Sequence, residues 1–184
     1  MTTAGPSPLH TYPLAFPRED AVHESTASEH ARGRVVGIAL RSRAGGPMRE
    51  VDEASAPVDG WLEGDHGGSA RRGVTLLSRE AWAAVNAELE TDLPWPTRRA
   101  NVCVEGLALL PVVGQRLRVG ELELAILDET RPCERMDRLQ PGLQDALGPQ
   151  GRGGVYGRVH VGGRVAVGDA VEVLPANPDG TENC

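Results

Sequence analysis

Apolar residues alternate with polar ones along much of the chain, and the alternation has the period of a strand rather than of a helix. In Arg34–Leu40, Val36, Ile38 and Leu40 share one parity. The stretch 121–126 places Leu122, Leu124 and Ile126 on one face, and Val165, Val167, Val171 and Val173 do the same around a Gly168-Asp169 turn. Further strands are predicted at 73–77, 101–105, 116–119, 121–127 and 154–161. Val161-Gly-Gly-Arg-Val165 reads as a hairpin, since Gly-Gly supplies positive φ for a tight turn.

Two segments have helical spacing instead. Ser78 is a good N-cap, Glu80 suits the first turn, and Trp82, Val85 and Leu89 recur on one face until 91–96 breaks the helix. A second, short helix is predicted over 138–147, with Leu139, Leu143 and Leu147 in register and Gly148-Pro149 ending it. Many short strands with a few short helices indicate a mainly β (α+β) domain, a closed or nearly closed barrel with peripheral helices. Residues 1–33 are polar and without sustained periodicity, and are expected to form a tail or a loosely docked arm using Tyr12, Leu14 and Phe16. The barrel domain is expected over 34–174, followed by a polar tail at 175–184.

Composition narrows the chemistry. At 184 residues the chain suits one domain. Aromatic residues make up only 3%, so the core must come from Val, Leu, Ile and Ala. The sequence contains no Lys, which removes a Walker-type phosphate loop and a Schiff-base lysine, so pyridoxal phosphate is not expected. A net charge of −7 argues against nucleic acid as a general partner. No apolar run reaches the ~20 residues of a membrane span, and no signal peptide is visible, so a cytoplasmic location is expected. Three cysteines without a CxxC pair make neither a disulfide framework nor a structural zinc site.

Three loops hold polar residues that need another explanation. In Gly64-Asp-His-Gly-Gly68, followed by Arg71-Arg72, glycines allow backbone approach to an anion and the arginines can clamp phosphate; a plain surface turn is the alternative. In Arg131-Pro-Cys-Glu-Arg135, flanking arginines favour the thiolate, the form that attacks or ligates metal, against the alternative of an inert cysteine. In 150–158, Arg152 sits between glycines and either swings toward an anion or is an ordinary loop residue, while Arg158 reads as a solvent-facing strand residue. Cys103 alternates with Val102 and Val104 and reads as structural; Cys184 is terminal. Of the five histidines, only His66 stands in one of these loops. GxSxG, HExxH and a strand-to-helix GxGxxG are missing from the sequence.

The order of the motifs carries more than any one of them. Leu62-Glu-Gly-Asp-His66, 73–80, Arg99-Ala-Asn-Val-Cys-Val-Glu-Gly106, 114–120, Arg131-Pro-Cys133, Arg152-Gly-Gly-Val155 and 163–169 together resemble the MOSC family, the C-terminal domain type of molybdenum cofactor sulfurases. The resemblance spans roughly residues 34 to 174 and implies a β-barrel like the domain inserted in pyruvate kinase. It implies molybdenum cofactor (molybdopterin) binding, with Cys133 as metal ligand and catalytic centre. Asp65, His66, Arg72, Asn101 and Arg152 fall at positions expected to hold the cofactor, Arg72 and Arg152 on its phosphate. The expected activity is reduction of a small N-hydroxylated substrate, with an external electron donor because the chain has neither a ferredoxin-like Cys cluster nor a flavin site. The alternatives are a carrier serving a molybdoenzyme or desulfurase partner, and a barrel whose pocket has decayed to an interaction surface.

Overall fold

The computed structural model describes residues 32–175. The expected N-terminal arm, three of the histidines, Cys184 and nearly all of the C-terminal tail lie outside this range. Ten strands carry the fold: β1 (Arg32–Leu40), β2 (Arg49–Val51), β3 (Glu53–Ala56), β4 (Val74–Ser78), β5 (Val102–Glu105), β6 (Arg116–Val119), β7 (Leu122–Glu129), β8 (Val155–Val161), β9 (Gly163–Ala166) and β10 (Ala170–Leu174). The three α-helices are α1 (Arg79–Leu89), α2 (Arg135–Leu139) and α3 (Leu143–Ala146).

Seven strands close a barrel in the order β10-β6-β7-β8-β4-β5-β1, sealed by a β1–β10 pairing in which Arg32 faces Glu172. Full closure leaves the barrel strands no free edge to mispair. Neighbouring strands are antiparallel except β4 and β5, which are parallel because α1 carries the chain back between them. β2 pairs with the end of β1, and β3 with β9 forms a separate two-stranded ribbon. Inside the barrel, Val35, Ile38, Val74, Leu76, Val102, Leu117, Leu122, Leu124, Ile126 and Val159 pack together. Outside it, a second apolar cluster of Leu77, Trp82, Val85, Ala100, Met136, Leu143 and Leu147 seats the helices. β4 is therefore buried on both faces, with Val74 and Leu76 in the barrel core, Leu77 in the helix cluster and the one polar member, Thr75, hydrogen-bonded to Asn101.

The cap of α1 is as the sequence predicts: Ser78 Oγ accepts from the Ala81 amide at 3.2 Å and donates to Glu80 at 2.8 Å. Trp82 Nε1 donates to the Leu93 carbonyl at 2.8 Å, holding the chain as it leaves the helix.

Four expectations need correction. Val36 does not share the buried face of Ile38: a bulge between Val35 and Gly37 shifts the parity, so Val35 and Ile38 enter the core and Val36 is half-buried. Val161–Val165 is a corner and not a hairpin, because β9 pairs with β3 rather than β8. Gly162 serves close approach there: a Cβ would stand 2.9 Å from the Ala56 carbonyl and 3.0 Å from the Val58 amide. Val167 is 47% exposed, because β9 ends at Ala166 and the turn begins one residue early. The helix expected over 138–147 is two pieces, since Pro141 holds Gln140 extended (φ −153°, ψ 122°) and Gly142 is left-handed (φ 81°). Met136 takes the buried place expected of Leu139, which is 48% exposed.

No helix among the described residues is long and apolar enough to cross a membrane.

Candidate functional site: an arginine pocket at one barrel end

Five chain segments meet at one mouth of the barrel. They are the turn after β1 (Arg41, Met48), the glycine loop before β4 (Asp65–Arg72), the turn before β5 (Arg98–Asn101), the loop after β7 (Thr130–Met136), and Gly153 before β8. Together they enclose a cavity of about 200 Å³. Arg41, Arg72, Arg98, Arg99, Arg131 and Arg135 line it, against a single carboxylate, Asp65, among the described lining residues. In a protein of net charge −7, such a concentration of positive charge focuses the field onto one anion-sized volume.

Arg98 is the deepest of the six, at 6% exposure. The 3₁₀ turn Trp95–Arg98, entered through Pro94 and Pro96, delivers it into the barrel mouth. Nε donates to the Gly153 carbonyl at 2.9 Å and Nη2 to the Thr130 carbonyl at 2.7 Å, so one guanidinium joins two loops. Burial, then repulsion from Arg72, pushes its pKa down to about 10, with the nearby Cys133 opposing. Arg99 follows in the left-handed region (φ 66°), and its Nη1 donates to the Gly46 carbonyl at 3.1 Å. Its pKa is also lowered, by burial first and then by Arg135 and Arg41.

Asn101 is buried and spends its side chain on the frame. Oδ1 accepts from the Thr75 hydroxyl at 2.7 Å and the Thr75 amide at 3.2 Å, tying β4 to the entry of β5 under the pocket. Asp65 accepts from the Arg41 amide at 2.7 Å. His66 enters through its backbone, exchanging hydrogen bonds with Arg41 through both its amide and its carbonyl, while the residue itself is exposed outside the lining. Arg72 lies over the Tyr156 ring, 4.9 Å from its centroid.

Cys133 is exposed at the rim, in the loop between β7 and α2, and its carbonyl accepts from the Met136 amide at 2.8 Å. It also walls a shallow groove of about 560 Å³ with Arg135, Arg138 and Leu139. On the opposite flank, Arg72 and Arg131 border a groove of about 410 Å³ with Tyr156, Asp128 and Glu129. Cys103 stands apart: burial pushes its thiol up to about 12, in keeping with a structural place on β5.

The structure thus brings Cys133, Asp65, Arg72 and Asn101 to one pocket and leaves Arg152 outside it. Arg152 Nη1 pairs with Glu88 of α1 at 2.5 Å and donates to the Ala146 carbonyl at 3.2 Å. Its glycine neighbours free the backbone, yet a carboxylate 64 positions away captures the side chain. Arg158 pairs with Asp59 on the surface at 3.3 Å. Sequence reading missed Arg41 and the buried Arg98; the one hint was an Arg-Arg pair closing a proline-rich turn.

Among the described residues no three His, Cys, Asp or Glu side chains gather into a metal cage.

The MOSC domain family model matches residues 63–172, which contain most of the pocket. No curated protein matches the chain in sequence. Among solved structures, the YuaD protein from Bacillus subtilis is similar at 21% identity and TM-score 0.66, over 79% of this chain and 97% of that one. YiiM from Escherichia coli is similar at 20% identity and TM-score 0.61, over 79% of this chain and 72% of its own. YiiM from Geobacillus stearothermophilus is similar at 14% identity and TM-score 0.64, over 80% and 77%. These likenesses are likenesses of fold.

Proposed function

Because the chain belongs to the MOSC domain family, we propose that it binds the molybdenum cofactor in the arginine pocket, with Cys133 as the protein ligand to the metal. The observation that carries this reading is that an exposed thiol and six arginines border one cavity. The donor set fits such a group. A metal that arrives chelated by its own dithiolene needs few protein ligands, and a thiolate is a soft one. The phosphate of a pterin cofactor needs cationic forks, and guanidinium groups supply them. Two residues that line the pocket each carry a buried polar atom without a hydrogen-bond partner in the protein, Arg99 Nη2 and Thr130 Oγ1.

Each residue then has a distinct task. Cys133 holds the metal end at the rim, where substrate can arrive from solvent. Arg72, Arg131 and Arg135 surround the ligand with charge, and Asp65 offers the pocket's acceptor for a pterin N–H. Asn101 keeps the wall in register through Thr75. Arg152, tied to Glu88, has no part in this assignment.

When bound, the cofactor supplies two-electron redox chemistry. The reaction we assign is reduction of a small N-hydroxylated compound, in which two electrons from an external donor and two protons convert N–OH to N–H and water. The arginines draw an anionic cofactor in and keep it desolvated. The test is turnover of a hydroxylamino compound by cofactor-loaded protein with a chemical electron donor, comparing wild type with Cys133→Ser. Turnover lost in the variant supports the enzyme; none in loaded wild type removes it.

A second reading, a cofactor carrier, is favoured by the openness of the Cys133 rim beside the exposed Leu139. It predicts cofactor transfer to a partner molybdoenzyme without turnover.

A further inference from the structure

We infer that the groove beside Cys133 is the docking site of a small acidic electron-carrier protein of the ferredoxin or flavodoxin class. What the electrons reach rests on the cofactor reading above; the docking surface rests on charge and shape.

The arginines divide by place. Among the described residues, eight form ion pairs, six of them on strands and two, Arg79 and Arg152, at α1. The other ten find no carboxylate among the described residues, and all fall in 41–49, 71–72, 98–99 or 131–138. These segments meet at the barrel mouth or lead directly from it. Six of the ten line the cavity, where an anionic cofactor answers them. Arg43, Arg49, Arg71 and Arg138 are exposed and do not line it. A cofactor in the cavity leaves their charge facing solvent, so a second, larger acidic surface fits this end.

The groove of about 560 Å³ walled by Cys133, Arg135, Arg138 and Leu139 is where such a surface can seat. Both of its charges are cationic, and Leu139 stands 48% exposed between them and the start of α3. Glu134 and Asp137 flank it in sequence, yet neither lines it, and Asp137 Oδ1 accepts from the Gln144 amide at 2.8 Å. An exposed apolar side chain rimmed by charge of one sign suits a transient, electrostatically oriented interface. The net charge of −7 repels an acidic protein from the rest of the molecule, so the mouth steers its approach. A nucleic acid meets the same repulsion, and the groove has no aromatic ring on which a base could stack.

Cys133 explains why the partner is a redox protein. It walls the groove and the cavity alike. On the cofactor reading its sulfur holds the metal from within, so a carrier in the groove meets that ligand from outside. Each visit oxidises the carrier by one electron and delivers that electron to the site. Two visits supply the pair that, with two protons, converts N–OH to N–H and water. Weak, salt-sensitive docking serves this traffic, because the spent carrier must leave.

The experiment titrates the immobilised full-length chain with an acidic [2Fe–2S] ferredoxin and with an acidic flavodoxin. Wild type is compared with Arg138→Glu, Leu139→Ser and a barrel-wall control, Arg158→Gln. At least one carrier is expected to bind wild type and the control, with affinity falling as salt rises. Arg138→Glu is expected to melt like wild type and bind about tenfold more weakly. Leu139→Ser is expected to weaken binding without changing its salt dependence. Saturating carrier is expected to protect Cys133 from iodoacetamide. Binding of neither carrier at low salt, undiminished affinity in Arg138→Glu, or an unprotected Cys133 in the complex would overturn the proposal. Preference for a DNA oligonucleotide over both carriers would overturn it too. Turnover with a chemical donor by loaded protein that binds neither carrier would sink the docking site and leave the cofactor reading standing. Salt-sensitive carrier binding over Cys133, in protein that never retains molybdenum or pterin, would do the reverse.

Discussion

Arg98 and Gly153 are joined across the mouth of the barrel, the guanidinium Nε donating to the glycine carbonyl at 2.9 Å. The same side chain holds the Thr130 carbonyl at 2.7 Å, three residues before Cys133. A single buried arginine therefore sets where the cysteine loop sits relative to the pocket.

Replacing Arg98 by Met leaves two loop carbonyls without their donor. Stability is expected to fall by about 2 kcal/mol in urea denaturation. Amide exchange should rise at residues 130–136 and 153–154 while the barrel strands keep their protection. Arg98→Lys retains the charge but cannot bridge both carbonyls, and should restore only part of the loop's protection. A uniform rise in exchange across all strands would mean that Arg98 supports the fold at large and not this loop.

Gly153 is small for the same reason. A Cβ there would collide with the Thr130 carbonyl oxygen and press on Arg98 Nη2 at 3.3 Å. Gly153→Ala is expected to cost roughly 1–3 kcal/mol and to weaken cofactor retention with it, read by thermal melts and pterin content side by side. A variant that melts and binds like wild type would show that this packing does not matter.

Arg152 offers the opposite case. Its pairing with Glu88 is partly exposed, at 21% and 51% for the two side chains. Arg152→Gln should therefore cost less than ~1 kcal/mol and leave cofactor content unchanged. A clear loss of cofactor from this variant would show that Arg152 turns into the site when a ligand is present.

The two described cysteines should separate under native alkylation. Cys133 is exposed, whereas Cys103 is buried with its thiol pushed up to about 12. Peptide mass spectrometry after iodoacetamide at neutral pH should find Cys133 modified and Cys103 intact until the protein unfolds. Equal labelling of both would contradict the placement of β5.

Much of this was legible in the sequence. The parity of Leu122, Leu124 and Ile126 and the capping role of Ser78 are local facts, so they survive into the fold unchanged. The β1–β10 seal was not legible as a pairing, because it joins Arg32 to Glu172 across nearly the whole chain. The site divides in the same way. Cys133 and Arg72 stand out because loop residues between prolines, glycines and arginines advertise themselves. Arg98 does not, since nothing local distinguishes a buried arginine from a solvated one. For Arg152 the glycines correctly signalled backbone freedom and said nothing of Glu88. The Gly162-Gly163 pair was misread because glycine serves tight turns and close backbone contacts alike.

Acid should act through Glu105. Hydrogen bonds from Arg34 at 2.6 Å and Arg79 at 2.8 Å hold its carboxyl below the usual range, joining β5 to β1 and to the start of α1. A depressed carboxyl stabilises the fold above its ordinary pKa, and that contribution is lost as pH falls through the lowered one. Glu105→Gln should therefore flatten the acid limb of the stability–pH curve while changing its neutral plateau by a similar amount. A parallel curve, lower at every pH by one constant, would rule this linkage out.

The central claim is that Cys133 and the arginine pocket hold one molybdenum cofactor, and the most direct measurement is molybdenum and pterin content per chain. It is made on wild type and Cys133→Ser purified from a host that makes the cofactor. Near-stoichiometric metal and pterin in wild type, with the metal lost from a variant that melts at the same temperature, is the predicted result. Neither metal nor pterin in wild type, or equal metal in both proteins, would contradict it.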